Sequence, residues 1–254
     1  MSDTPLRRKR GWMNLRIDKI KEDTWDTKTF YFVDEEDGSV SFDYIAGQYL
    51  TFRFDNLHDK PLARSYTMSS SPCQKDYIGV TVKRVPNGIV SNWMCDSLKV
   101  GDVLKARGPI GRFCFDATRC QDHLIMVGAG SGVTPFLSIM REYAPKLGQE
   151  NCPKRLSLLV AYRSKNDLIA WEDLQEISKY PGVNLKVTLT REDATAEGFW
   201  HGRPDPSMLS RFVDSAYAEA SYMTCGPEEM MNMTVEHLKS HQVADDQIQL
   251  EAFF

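Results

Sequence analysis

The chain has no Cys-x-x-Cys pair. Its six cysteines (Cys73, Cys95, Cys114, Cys120, Cys152 and Cys225) are scattered over 254 residues. Neither the plant-type nor the bacterial spacing of a built-in iron–sulfur centre is therefore present, and the thiols read as reduced cysteines of a cytoplasmic protein. No apolar run approaches the roughly 18 residues of a membrane span, and the first residues lack the apolar core of a secretory signal. Positive charge is not in excess: 31 Lys and Arg against 35 Asp and Glu give a formal net charge of −4, which removes the electrostatic case for nucleic acid as a partner. His237 and His241 lack the Glu of an H-E-x-x-H pattern, so they read as the end of a helix and not as a metal site. Ser131 is flanked at two residues' distance by Ala129 and Val133, where a hydrolase elbow needs glycines. Internal repeats and low-complexity tracts are absent.

What the chain does have is the stretch from His123 to Tyr143. Leu124 to Val127 is a short apolar run of the kind buried on both faces of a parallel sheet. Gly128, Gly130 and Gly132 come next, and without side chains they let the backbone turn tightly and approach a ligand. Thr134 is placed to cap the next helix and Pro135 to occupy its first position, while Phe136, Ile139, Met140 and Tyr143 share one helical face. Strand, glycine loop and helix together aim free N–H groups and a helix dipole at one point, where a phosphate or pyrophosphate binds. The spacing is G-x-G-x-G with Thr-Pro beyond it and departs from G-x-G-x-x-G, so a tight turn without a ligand is the competing reading.

On either side of this stretch the pattern changes. Residues 1–10 include Arg7, Arg8, Lys9 and Arg10, a solvated tail that is also suited to steering an acidic partner. From Asn14 to about Asp116 short strands alternate with turns. Leu15, Ile17 and Lys19 alternate with charged residues, Tyr49 to Phe54 and Ile78 to Val82 have period two, and Asp37-Gly38, Pro86-Asn87-Gly88 and Gly108-Pro109 mark turns. One helix, carrying Val90, Trp93, Met94 and Leu98, interrupts them. The pattern predicts a closed or nearly closed antiparallel barrel. After Thr118, strands at 124–127, 156–162, 183–190 and 221–224 alternate with helices, the one after each glycine or polar turn running over about 168–180, 207–213 and 227–240. The expected architecture is thus two-domain, β followed by α/β: an antiparallel β-barrel over 12–118 and a Rossmann-like parallel sheet over 119–254.

Four motifs in this order resemble the ferredoxin–NADP reductase family over about residues 12–254. Arg64-Ser65-Tyr66-Thr67-Met68-Ser69 is similar to its R-x-Y-[ST] flavin signature, Gly88-Ile89-Val90-Ser91 to its G-x-x-S turn, Gly128 to Pro135 to its pyridine-nucleotide loop, and Cys225-Gly226-Pro227-Glu228-Glu229-Met230 to its C-G-P-x-x-M. Glu251-Ala252-Phe253 resembles its E-x-aromatic terminus, with Phe254 an extra aromatic that leaves open which ring covers the flavin. The resemblance implies an enzyme that moves hydride from NADPH, with NADH as the alternative, to FAD and then delivers single electrons to ferredoxin, flavodoxin or another iron–sulfur acceptor protein. A reductase component of an oxygenase and a reductase of cytochrome or free flavin are the rival enzyme readings; a nucleotide-binding subunit without flavin is the rival outside enzymes. It also implies a cytoplasmic monomer.

The same resemblance implies the site residues. Arg64 would offer its guanidinium fork to the diphosphate, Tyr66 its ring to the isoalloxazine, and Thr67 a hydroxyl near the flavin nitrogen that accepts hydride. Met68, Lys83 and the turn Gly88, Ile89, Val90 and Ser91 complete the FAD set, with Phe253 or Phe254 over the ring. Gly128, Gly130, Gly132, Thr134, Pro135, Cys225, Gly226 and Pro227 would hold the nicotinamide nucleotide. Thr67, Cys225 and Glu251 would surround the reacting ring edges as catalytic residues. Thr190, Arg191 and Glu192 are similar to the [ST]-R-E segment that binds the 2′-phosphate of NADPH, and Arg163 and Arg203 lie in neighbouring loops. No acidic residue stands at 161–164, where NAD enzymes hold a ribose hydroxyl. Against all this stand blander assignments: a barrel strand with an exposed Arg and a packed Tyr, an inert buried thiol, and solvated loop arginines.

Overall fold

The computed structural model describes residues 11–213 and 217–253; Arg7 to Arg10 and Phe254 lie outside the described residues. The chain divides into two compact units, the division falling between Cys114 and Phe115. The sequence reading puts it after Thr118. Phe115 goes with the second unit because its buried ring packs edge-on against Tyr143, 5.3 Å between centroids.

The first unit contains β1 (Met13–Thr24), β2 (Thr27–Asp34), β3 (Tyr49–Phe54), β4 (Leu62–Thr67), β5 (Ile78–Lys83), α1 (Ile89–Ser97) and β6 (Val103–Ile110). The strands form one antiparallel sheet in the order β4-β3-β6-β1-β2-β5. Just past β4, Met68 bridges Val80 of β5 and the Ser69 N–H donates to the Gly79 carbonyl. The two outer strands thus meet at one pair, and the barrel is nearly closed. Leu15, Ile17, Phe30, Phe32, Leu50, Phe52, Val80 and Val82 alternate inward and fill one core, each such side chain contributing about 1.5–3 kcal/mol of burial. The alternation expected through Lys19 breaks: the register slips between Ile17 and Lys19, Lys19 turns outward, and Ile20 packs on the core instead. One extra residue in a strand reverses the parity of everything after it. Helix α1 buries Val90, Met94 and Cys95 in the same core.

The second unit contains β7 (His123–Ala129), α2 (Thr134–Tyr143), β8 (Arg155–Tyr162), α3 (Trp171–Ile177), β9 (Val183–Leu189), β10 (Trp200–His201), α4 (Pro206–Phe212), β11 (Ala220–Cys225), α5 (Glu228–Ser240) and β12 (Ile248–Glu251). Its sheet is parallel throughout, in the order β10-β9-β8-β7-β11-β12. The chain winds outward from β7 to β10 and then returns to lay β11 on the other flank of β7. Ligands of such sheets bind at the strand ends where the winding direction reverses. The short strands β10 and β12 were not expected, and α3 is shorter than the predicted 168–180. Leu168, Ile169 and Ala170 are buried outside the helix, and Ala170 has a positive φ of 51°, which no helix can continue through.

Among the described residues no helix is long and apolar enough to cross a membrane, and no group of His, Cys, Asp and Glu is arranged to hold a metal. His237 has another partner: its Nε2 lies 2.9 Å from the Tyr217 hydroxyl. None of the six cysteines is joined in a disulfide.

Candidate functional site

In the first unit, β4 presents Arg64, Tyr66 and Thr67 one after another. Arg64 is exposed and rests one guanidinium N–H on the Ala63 carbonyl at 2.7 Å, leaving its other donors to solvent. The Tyr66 ring is half-buried and packs 6.2 Å from that of Phe52; burial first, then nearby Cys95, pushes its hydroxyl well above the usual phenol range. It is therefore a neutral apolar face with a polar tip. Thr67 is buried and its Oγ1 has no hydrogen-bond partner. Met68 lies wholly inside the core and offers a ligand only its backbone. Lys83 is likewise diverted: its Nζ donates to Asp26 Oδ1 at 2.6 Å. Burial pushes the Asp26 carboxyl up, but the Lys83 contact together with the hydrogen bonds from Thr24 and Thr27 holds it below the usual carboxylate range.

The glycine of the G-x-x-S turn has a packing reason. The Gly88 N–H donates to the Val85 carbonyl to close the turn through Pro86 and Asn87, the latter at φ 59°. The Ser91 hydroxyl accepts from the Val85 N–H at 3.1 Å, and a Cβ on Gly88 would stand 2.7 Å from that same hydroxyl oxygen. The serine thus locks the turn, and α1 begins at Ile89 without a side-chain cap or an acidic residue in its first turn. The N–H groups of Ile89, Val90 and Ser91 have no acceptor within the helix, so the turn fits an anion such as a diphosphate.

In the second unit the carboxyl ends of three parallel strands converge. Gly128 of β7 pairs with Cys225 of β11, and Cys225 with Glu251 of β12, so these residues share one face of the sheet. Beyond Gly128 the loop turns at Gly130 with φ 53° and runs as a 3₁₀ turn over Gly130–Val133 before α2. A Cβ on Gly132 would lie 2.2 Å from the Cys225 carbonyl oxygen, and Gly226 has φ 152°. Only glycine fits at either position. The expected cap at Thr134 is not there: the 3₁₀ turn runs straight into α2, so Thr134 is already helical and its hydroxyl donates back to the Ser131 carbonyl at 2.9 Å. Pro135 stands second in the helix, where a missing N–H costs nothing. The first turn of α2 has no acidic residue, whereas Pro227 leads into α5 with Glu228 and Glu229. The positive end left free for a pyrophosphate is that of the glycine loop.

Cys225 is fully buried, and burial, with Glu251 as a lesser cause, pushes its thiol far above the ordinary range. It stays a neutral thiol and not a thiolate. Burial raises the Glu251 carboxyl from 4.5 to about 7, and its Oε2 has no partner. Thr224, which the sequence reading passed over, has a buried hydroxyl without a partner as well; its position beside Cys225 was the one signal available. Phe253 is 46% exposed. At the far edge, Thr190 and Arg191 donate backbone N–H groups to the carbonyls of Tyr162 and Arg163 at 2.8 and 2.9 Å, so the backbones of Arg163 and Arg191 meet at the sheet edge, and both residues are exposed. Arg203 follows Gly202, whose N–H donates to the Leu189 carbonyl at 3.0 Å, and it lies 3.9 Å from Glu229 in an open pair.

These features fit FAD in the first unit and a nicotinamide nucleotide in the second, and the comparisons agree. Residues 14–115 match the oxidoreductase FAD-binding domain family and residues 126–236 the oxidoreductase NAD-binding domain family. The chain is 33% identical over 235 residues to the glycine betaine monooxygenase reductase subunit of Chromohalobacter salexigens, covering 91% of this chain and 61% of that protein. It is 30% identical over 241 residues to the ferredoxin reductase component of 3-ketosteroid-9-alpha-monooxygenase from Rhodococcus rhodochrous, covering 94% and 64%. It therefore spans less than two thirds of the length of these relatives. Its fold is that of a ferredoxin NADP+ reductase from Neisseria gonorrhoeae with bound FAD and NADP, with a TM-score of 0.82 at 20% identity, covering 97% of this chain and all of the other. The FAD/NAD-binding domain of nitric oxide dioxygenase from Vibrio cholerae gives the same TM-score at 21% identity, covering 95% and 98%. The chain belongs to the flavin- and nicotinamide-nucleotide-binding oxidoreductases, an FAD-binding domain followed by an NAD-binding domain.

Proposed function

We propose that the chain is a reductase that takes hydride from NADPH onto FAD and passes electrons singly to a separate acceptor protein, a ferredoxin or flavodoxin in type. One observation carries this reading. Among the described residues three buried side-chain atoms lack any partner, Thr67 Oγ1, Thr224 Oγ1 and Glu251 Oε2. Each such atom costs about 1–3 kcal/mol, and two of the three belong to the motifs that imply hydride transfer.

When bound, FAD supplies the exchange of one hydride for two single electrons. The chain's own residues bind, orient and manage protons. Arg64 and the amides of Ile89 to Ser91, on the turn that Gly88 makes possible, hold phosphate oxygens, and Tyr66 lays an uncharged ring beside the flavin. Thr67 Oγ1 is free to donate or accept one hydrogen bond. Gly128, Gly130, Gly132 and Gly226 keep side chains out of the nucleotide's path, and Cys225 gives a neutral, polarisable contact. Glu251, which titrates at about 7, can hold or release a proton at Oε2 under neutral conditions. Arg163 and Arg191 receive the 2′-phosphate, with Thr190 and Arg203 nearby.

A second reading, a reductase component of an oxygenase, is favoured by the names of the relatives above; in that case the acceptor is the iron–sulfur protein of the oxygenase. The scattered cysteines, none of them in a disulfide, support a cytoplasmic setting, and the chain is taken to act as a monomer. The decisive experiment is the anaerobic absorbance spectrum with and without NADPH. A yellow protein that bleaches is expected, and a colourless one that takes up no FAD would overturn the proposal. Reduction rates with ferredoxin, flavodoxin and oxygenase components then separate the two acceptors.

A further inference from the structure

The geometry points to Lys165, Glu192 and Glu197 as a clamp that holds Arg191 beside Arg163 and so sets the preference for a 2′-phosphorylated nucleotide without touching it. The inference rests on the NADPH reading above. The β8–β9 ladder stops at Arg191; its last two bonds are those from Thr190 to Tyr162 and from Arg191 to Arg163. Neighbouring strands lie about 4.8 Å apart, so the two arginines leave the sheet edge from adjacent backbone points, Arg191 one step beyond the register of Arg163. Neither arginine enters an ion pair among the described residues. The chain beyond, residues 192–199, is largely exposed loop, and something must keep Arg191 at the edge.

Lys165 does this from the facing loop. Its backbone N–H donates to Glu192 Oε2 at 2.8 Å, and its Nζ reaches Glu192 Oε1 at 3.4 Å and Glu197 Oε1 at 2.7 Å. The facing loop is itself rigid: Asp167 Oδ2 accepts from the Ser164 N–H at 2.9 Å and from the Ser164 hydroxyl at 2.7 Å, and Asp167 is buried. On the other side, the Glu192 carbonyl lies 3.1 Å from His201 Nδ1. Lys165 therefore spends its charge on two carboxylates, its ammonium held above the ordinary lysine range first by Glu197 and also by Glu192. Three cations and two anions leave the arginines as the groups open to a phosphate.

Charge alone and a clamp agree for Lys165 and make opposite forecasts for Glu192. Lys165→Met removes a positive charge and Glu192→Gln removes a negative one, so a purely electrostatic role would weaken phosphate binding in the first variant and strengthen it in the second. A clamp is broken by both. Both side chains lie at the surface, where such changes leave folding intact. Calorimetric titration of the holoprotein with 2′,5′-ADP and with 5′-AMP reads the difference. The unmodified protein should favour 2′,5′-ADP by about tenfold or more, and both variants should lose most of that ratio while 5′-AMP affinity stays unchanged. Tighter 2′,5′-ADP binding by Glu192→Gln, or an intact ratio in either variant, would overturn the clamp. Absence of any preference in the unmodified protein overturns the NADPH reading, and the clamp with it.

Discussion

Replacing Glu251 by Gln tests the physical state of the one buried carboxyl at the convergence of β7, β11 and β12. Its Oε2 has no partner, and burial lifts the group from 4.5 to about 7. Between those values the folded chain keeps a proton that the unfolded chain has released. A folded-state value raised in this way gives a contribution to stability that is fully present below pH 4.5 and is lost as pH rises through about 7, where the folded chain must carry a poorly solvated carboxylate. At about 1.4 kcal/mol per pH unit the whole gap would be about 3.5 kcal/mol. The carboxyl is only partly withdrawn from solvent, so screening reduces this to about 1–2 kcal/mol. Glutamine has nearly the same shape and no proton to lose. Urea unfolding at pH 5 and pH 8 should show the unmodified protein losing about 1–2 kcal/mol more than Glu251→Gln over that interval, the other groups titrating alike in both. Parallel stability profiles for the two proteins would refute the idea that burial holds the proton on Glu251.

Gly132→Ala pushes a Cβ to 2.2 Å from the Cys225 carbonyl oxygen and should cost about 1–3 kcal/mol as well as nucleotide affinity; an unchanged melting temperature would mean the loop is not pressed on that strand. Arg64→Ala removes a charge-assisted phosphate contact of about 1.5–3 kcal/mol, so FAD should be lost on dilution, and full flavin occupancy after gel filtration would sink the assignment. With its thiol neutral and buried, Cys225→Ala should slow flavin reduction in stopped flow without changing FAD content, and an unaltered rate would demote Cys225 to packing. The unmodified enzyme should prefer NADPH by more than about tenfold in kcat/KM, and Arg191→Ala should reduce activity with NADPH while sparing NADH; equal use of both by the unmodified protein removes the 2′-phosphate site and leaves the flavin assignment standing.

What could be read from the chain and what could not differ in kind. The glycine loop, the Gly88 turn, the C-G-P segment and the succession of barrel and parallel sheet are local patterns, and the structure places them as the residues suggest. The bulge after Ile17 escaped because nothing in β1 itself marks where its register with β2 slips. Lys83 looked available until the fold brought Asp26 to it from 57 positions away. Thr134 carries the chemistry of a cap, yet a 3₁₀ turn immediately before it removed the end it would have capped. Thr224 and the Lys165 contacts became visible only once strands distant in sequence were paired. In each case the deciding partner lies elsewhere in the chain, where propensity and periodicity give no signal.

The pairing of Gly128 with Cys225, and of Cys225 with Glu251, also dictates an order of assembly. Of the groups assigned to FAD, all but the terminal aromatic come from the early segment Arg64 to Ser91, so they can be in place while the ribosome is still making the second unit. The nucleotide loop cannot: Gly132 rests on a carbonyl made 93 residues later, and contacts so far apart in sequence form slowly. A nascent chain would thus acquire its flavin grip before it has any means of reducing it, and electrons enter only when the last strands have been laid beside the first.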